Sequence, residues 1–212
     1  MRSLMRTIVY VDGFNLYYGA LKGTPYKWLD LALLFKNMLQ PHHDIQLVRY
    51  FTAKLSVSRG DRAQSERQNA YLRALRQHRN NVLKIHLGHF LTHEIRLPLV
   101  RPKGMQKMAS VWKTEEKGSD VNLAVHLLND AWTGKCDCAV VVTNDSDIAE
   151  AMRLIKEQHI IRIGLVTPGK RKQSKQLKYH ADFIQRVRAG ALRESQLPNP
   201  IPQTNIFKPQ SW

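Results

Sequence analysis

The stretch that most constrains the fold is Cys138-Ala-Val-Val-Val-Thr-Asn-Asp-Ser-Asp147. An unbroken apolar run from Ala139 to Val142 stops abruptly at Thr143, Asn144, Asp145, Ser146 and Asp147. A short β-branched run of this kind reads as a strand buried on both faces of a parallel sheet. Ile148, Ala151, Met152 and Ile155 then recur at helical spacing, which predicts a helix over Ile148 to His159. The order is therefore strand, polar turn, helix. Its two carboxylates sit at the strand's C-terminal end, where open α/β sheets hold their ligands.

The same grammar runs through the chain. Thr7 to Val11 reads as a first buried strand ending in Asp12-Gly-Phe-Asn15, with Asn15 as a candidate cap for a helix over Leu16 to Leu21. Asp30 to Leu39 reads as a helix with Leu31, Leu34, Phe35 and Met38 on one face and Asp30 as its cap. Ile45 to Ala53 is a second strand, Asp61 to Gln77 an arginine-rich helix, and Val82 to Phe90 a third strand, with Asn80-Asn81 as the stop between them. Residues 91–112, broken by Pro98, Pro102 and Gly104, admit a hairpin or a flap. Lys117-Gly-Ser-Asp120 opens a helix, Ile160 to Val166 is a fifth strand, and a last short element is built on Phe183, Ile184 and Val187. Four prolines between Leu197 and Trp212 predict an extended or disordered tail over residues 191–212, after a single domain over 1–190.

Strands alternating with helices imply a mostly parallel sheet with right-handed crossovers and helices on both faces. Asp12, Asp145 and Asp147 follow strands. Asp120 opens the crossover helix before the fourth strand, at the same sheet edge. If the first and fourth strands are neighbours, four carboxylates meet on one rim. Taken singly, each aspartate also reads as an ordinary turn or helix cap.

Charge supports a polyanionic substrate. The chain has 33 basic and 17 acidic residues, a net charge of +16. Residues 54–113 hold 13 basic and 3 acidic residues, and residues 151–212 hold 12 and 3. Residues 114–150 reverse the balance, with 2 basic and 8 acidic. Basic flanks attract phosphates and clustered carboxylates hold a hard cation, Mg²⁺ or Mn²⁺. The alternative is a solvated surface whose charges only aid solubility. Lys117, Lys170, Arg171, Lys172, Lys175 and Lys178, with the arginine-rich helix, are the candidate phosphate contacts. Tyr17, Tyr18, Trp112 and Trp132 are candidate base-stacking or rim residues, and His126 a packed histidine. No apolar run spans a bilayer and no secretory h-region precedes the first strand. With Cys136 and Cys138 as ordinary thiols, the expectation is a cytoplasmic protein.

Asp12-Gly-Phe-Asn15, Glu116-Lys-Gly-Ser-Asp-Val-Asn-Leu-Ala124 and Asn144-Asp-Ser-Asp147, in this order and on these elements, resemble the NYN domain, a branch of the PIN-like nucleases that includes LabA-like proteins. The resemblance covers about residues 7–187. It implies a Rossmann-like α/β fold with a five-stranded sheet ordered 3-2-1-4-5, and a metal-dependent ribonuclease-type site at Asp12, Asp120, Asp145 and Asp147. Asn15, Asn144 and Ser146 would support that site. Two positions depart from the family pattern: Asn144 stands where glycine is frequent, and His126 where many members carry a further aspartate. The second leaves fewer acidic groups for a second metal ion. The expected function is a divalent-metal-dependent nuclease, acting on RNA rather than DNA. The alternatives are an inactive nucleic-acid-binding module of the same fold, or a phosphatase on small phosphorylated metabolites.

Overall fold

In the computed structural model, residues 4–55, 62–79, 81–158, 161–169, 172–210 and 212 are described. The chain builds β1 (Met5–Asp12), a short α1 (Gly13–Leu16) that widens into a π-helical turn (Tyr17–Leu21), α2 (Leu31–Met38), β2 (His43–Ala53), α3 (Arg62–His78), β3 (Leu83–Lys103) and β4 (Gln106–Lys117). It continues with α4 (Ser119–Trp132), β5 (Cys138–Val142), a 3₁₀ turn (Ser146–Ile148), α5 (Ala149–Gln158), β6 (Arg162–Thr167), α6 (Lys175–His180), β7 (Phe183–Arg186) and α7 (Ala189–Glu194).

These strands form one sheet in the order β4-β3-β2-β1-β5-β6-β7. The five expected strands lie in the expected relative order, but the sheet has seven strands rather than five. β7 adds a parallel strand at one edge, and β4 an antiparallel one at the other. At the centre, β1 pairs in parallel with both β2 and β5, Val9 opposite Val140 and Val11 opposite Val142.

β1 and β5 read as unbroken apolar runs because each supplies two cores at once. Val9, Val11, Val140 and Val142 pack on one face with Leu34 and Phe35 of α2 and Leu72 and Leu75 of α3. Ile8, Tyr10, Ala139 and Val141 pack on the other with Leu123 and Leu127 of α4 and Met152 and Ile155 of α5. The strand period of two sends alternate side chains to opposite helical layers. A buried ion pair also lies on the second face. Asp130 accepts from Arg49 Nε at 2.6 Å and Nη2 at 3.0 Å, and from Tyr10 Oη at 3.0 Å. Burial alone would raise the pKa of Asp130, but Arg49, Lys135 and Tyr10 hold it below the usual carboxylate range.

Residues 91–112 are the outer part of a long β3–β4 hairpin, in register from His89 opposite Lys117 to Pro98 opposite Met108. The register slips beyond Pro98, and Gly104 turns the tip at a φ of +57°. Proline is tolerated there because a two-stranded ribbon has unpaired backbone edges.

The proline-rich residues after α7 form no further helix, yet they are packed. Leu197 and Ile201 are buried. Leu197 N donates to Trp28 O at 2.9 Å, and Trp28 Nε1 to Pro198 O at 3.2 Å. Trp212 sits edge-on to Trp28 with ring centres 5.7 Å apart. Apolar side chains spaced between the prolines hold the strap to the face of α2 and α3. No helix among the described residues is long and apolar enough to cross a membrane.

Candidate active site

β1 and β5 end side by side, so Asp12 and the Thr143–Asp147 turn share one sheet edge. Asp12, not Asn15, caps α1: its Oδ1 accepts from Asn15 N at 2.9 Å. Asp12 Oδ2 accepts from Asn15 Nδ2 at 2.7 Å and from Thr143 Oγ1 at 2.8 Å. Thr143 Oγ1 also accepts from Asp145 N at 3.1 Å, and Asp145 Oδ1 from Asp147 N at 3.1 Å. Asn15 closes the loop by accepting from Asn144 N at 3.2 Å. One chain of hydrogen bonds thus runs across the sheet edge through Asp12, Asn15, Thr143, Asn144, Asp145 and Asp147. A carboxylate has about four acceptor sites, so Asp12 retains capacity for a ligand.

Asp120 lies in the first turn of α4 and faces the same rim. Its pKa is pushed up to about 6, first by burial and then by the charges of Asp12, Asp145, Glu116 and Asp147. Asp12 is also raised, by burial above all, against the hydrogen bonds from Asn15 and Thr143. Asp120 therefore feels the other three expected carboxylates, and Asp12 feels Asp145.

Two contributors escape a reading of the sequence. Thr143 is buried and bridges Asp12 to Asp145; the only signal was its place at the strand end. Glu116, at the end of β4, adds charge to the rim and accepts from Ser119 N at 3.1 Å and Ser119 Oγ at 2.6 Å, fixing the start of α4. Gly118 between them has a φ of +100°, which favours glycine.

The donor set is all carboxylate oxygen, which suits a hard divalent cation. A carboxyl whose ionisation is opposed by its neighbours is the kind of group such a cation relieves. Among the described residues, however, no three acidic, histidine or cysteine side chains converge as a finished ligand set.

The basic candidates divide. Lys170 and Arg171 lie outside the described residues. Lys172 accepts through its backbone oxygen from Asn144 Nδ2 at 3.0 Å, and Ser174 N donates to Asn144 Oδ1 at 2.9 Å, so Asn144 ties the basic segment to the rim. Lys175 lines a shallow concavity with Ser146, Asp147 and Glu150. Lys178 instead faces a different hollow, beside Arg186 and Arg188. Lys117 pairs with Glu115 at 3.1 Å. Just after the arginine-rich helix, Arg79 is held by Asp30 at 2.6 Å, a structural pairing at the start of α2. Tyr18 is exposed and lines a hollow with Asn15, Asn144 and Asp145. His126 packs against His86 at a tilt, ring centres 4.1 Å apart.

The family model described as NYN domain matches residues 6–186. The chain is 37% identical, over an alignment of 237 positions covering 98% of it and 75% of the relative, to 6-hydroxy-3-succinoylpyridine 3-monooxygenase HspA of Pseudomonas putida (strain DSM 28022 / S16). In three dimensions it is similar to the crystal structure of a protein of unknown function, VPA0982, from Vibrio parahaemolyticus RIMD 2210633. The TM-score is 0.57 at 16% identity, with 93% of this chain and 99% of that one covered. At that identity the likeness speaks for the fold alone.

Proposed function

The chain belongs to the NYN-domain family, within the PIN-like nucleases, and from that premise we propose that its acidic rim hydrolyses phosphodiester bonds in RNA. The observation that supports this most is the raised pKa of Asp120, pushed up by burial and then by the charges of Asp12, Asp145, Glu116 and Asp147. These four would hold Mg²⁺ or Mn²⁺. Such an ion supplies charge stabilisation at a phosphoryl oxygen and a more acidic water.

The chain's own groups do the rest. Asp120, raised to about 6 in the ion-free rim, would be held ionised by a bound cation and act as one of its ligands. Asn15 and Thr143 orient Asp12 by hydrogen bonds to both of its oxygens. Asp145 fixes the turn that presents Asp147. Lys172 and Lys175, with Lys170 and Arg171, hold the phosphate backbone beside the rim, and exposed Tyr18 offers a ring to a base.

The test is cleavage of single-stranded RNA with Mg²⁺ or Mn²⁺ against EDTA, for the wild type and Asp145→Asn. Product that depends on metal and on Asp145 supports the reading. RNA bound but left intact under every condition would make this a binding module.

A second reading comes from the 37% identity, across nearly the whole chain, to a hydroxypyridine monooxygenase. Such a reaction uses O₂ and an electron donor such as a reduced nicotinamide or flavin, and because ring position 3 already bears the succinoyl arm, a C–O bond forms there only as the bond to that arm breaks and the arm leaves. Incubation with 6-hydroxy-3-succinoylpyridine, O₂ and that donor decides it. Hydroxylated product without RNA cleavage would replace the nuclease reading.

A further inference from the structure

Beyond its root, the β3–β4 arm contributes nothing to the rim, yet it projects from it. β1, β2 and β3 are parallel, and β3 leaves the sheet at Gly88, opposite Ala53 at the end of β2. Continuing past Gly88 carries it beyond the sheet edge that holds Asp12, and β4 brings the chain back to Glu116 and on to Asp120. The paired part, His89 to Pro98 opposite Met108 to Lys117, reaches about 30 Å from that edge at the rise of an extended strand.

The root is fixed. Phe90 meets the ring of Phe14, which closely follows Asp12, edge-on with ring centres 6.0 Å apart. Glu116 Oε2 accepts from Ser119 Oγ at the start of α4, and the hydroxyls of Thr92 and Thr114 join the two strands at 2.9 Å. Phe90, opposite Glu116, shares a ribbon face with Arg96, opposite Ser110, so that face starts at the rim. The arm's ion pairs also lie at its root, where Glu115 meets Lys113 and Lys117. Further out the balance changes. Residues 95–112 hold Arg96, Arg101, Lys103 and Lys107 and no acidic residue. Arg96, Arg101 and Lys107 are exposed, and among the described residues no ion pair holds them. Aliphatic side chains accompany them, with Val100 and Met105 each 98% exposed at the tip. No Phe, Tyr or Trp lies between Leu91 and Val111.

Cations without acidic partners on a bare two-stranded ribbon fit a polyanion. The missing aromatic rings decide its form. A single strand is held by rings that stack on its bases, and the outer arm has none. A duplex hides its base faces and offers phosphates, 2′-hydroxyls and a wide, shallow minor groove, which is recognised by shape. A ribbon of cations and aliphatic side chains matches that surface, and an exposed methionine at a tip is the kind of side chain that wedges into a groove. We propose that the arm holds a double-stranded stem of RNA whose flanking single strand enters the rim. The inference rests on the reading that the rim acts on RNA, and adds that the substrate carries a stem beside the strand that is cut.

Fluorescence anisotropy of the full chain in EDTA, where no metal supports cutting, tests it. One probe is an RNA stem of about 16 base pairs, the span of a duplex-binding module, with a single-stranded tail; the other is the tail alone. The wild type should hold the stemmed RNA about tenfold more tightly, the size expected from a few added phosphate contacts. Arg96→Ala/Arg101→Ala/Lys107→Ala should remove that advantage and flatten its salt dependence at an unchanged melting temperature, while the tail alone stays within about twofold of the wild type. If that variant fails to fold, Arg101→Glu alone should weaken the stemmed RNA and not the tail. The proposal is overturned if the wild type holds both RNAs alike, if the arm variants hold the stemmed RNA as the wild type does, or if they weaken both RNAs equally. A DNA stem held as tightly as the RNA stem also overturns it. So does a dimer of the wild type that Val100→Ser/Met105→Ser converts to a monomer, since the arm would then be an interface between copies. Metal-dependent cleavage of the tail is measured separately, so failure here leaves the nuclease reading standing.

Discussion

Replacing Asp120 by Asn should make the metal-free protein more stable at neutral pH, which is unusual for a residue in a candidate active site. Asp120 has its pKa raised from 3.8 to about 6 by burial and by four acidic neighbours. At about 1.4 kcal/mol per pKa unit, a rise of roughly two units corresponds to ~3 kcal/mol at face value. The rim is partly open to water, which screens these charges, so ~1–2 kcal/mol is the realistic size. For the sign, the folded state favours the protonated acid more than the unfolded state does. Ionised Asp120 therefore destabilises the fold above about pH 6. That penalty fades as pH falls from about 6 towards 3.8 and is gone below that, where the carboxyl is neutral in both states. Asn carries no charge at any pH. Its advantage should be full at pH 8, close to full at pH 6, about half near pH 5 and small at pH 4. Urea denaturation in EDTA at these pH values measures it. At pH 8 the melting temperature should rise by roughly 2–8 °C. An Asn variant less stable than wild type at pH 8, or one with the same advantage at every pH, would refute the claim that the rim carboxylates strain one another.

Three further outcomes follow from the same geometry. Millimolar Mn²⁺ should raise the melting temperature of the wild type, and Asp120→Asn/Asp145→Asn should respond much less; equal shifts would place the ions elsewhere. Asp130→Ala should cost about 3–5 kcal/mol in urea denaturation, because it strands buried Arg49 without its partner; a loss under ~1 kcal/mol would count against that pairing. Replacing Lys170, Arg171 and Lys172 with Ala should weaken single-stranded RNA binding with little regard to sequence, and flatten its salt dependence by a slope of about 0.7 for each phosphate no longer neutralised. Parallel lines of equal affinity would remove the segment from the interface.

The rim was legible because topology alone places it. Asp12, Asp145 and Asp147 each follow an apolar run that can only be a central strand, and Asp120 opens a crossover helix. The less legible features depend on interactions between distant residues. Thr143 reads as an ordinary strand end until its hydroxyl is seen to bridge Asp12 and Asp145. Asn15 has a cap residue's composition, yet Asp12 does the capping and Asn15 orients it. The hairpin arm was ambiguous because both faces of much of the ribbon are exposed, which leaves no clean alternation of period two, and Pro98 lies inside it. The strap after α7 was obscured by its prolines. Its few apolar residues carry no periodic signal, and only the presence of Trp28 and Tyr71 explains where they go.

The pairing of β1 with β5 has a practical consequence for taking the molecule apart. The Asp12–Thr143 bond joins residues 131 positions apart, and the exposed hairpin tip at Gly104 and Met105 falls between them. A chain divided at that tip would carry Asp12, β1 and β2 on one piece, and Glu116, Asp120, Asp145 and Asp147 on the other. Neither piece would own the rim, and neither would hold both strands at the centre of the sheet. Mixing the two would restore the site only by restoring the sheet, so any recovered function would report reassembly.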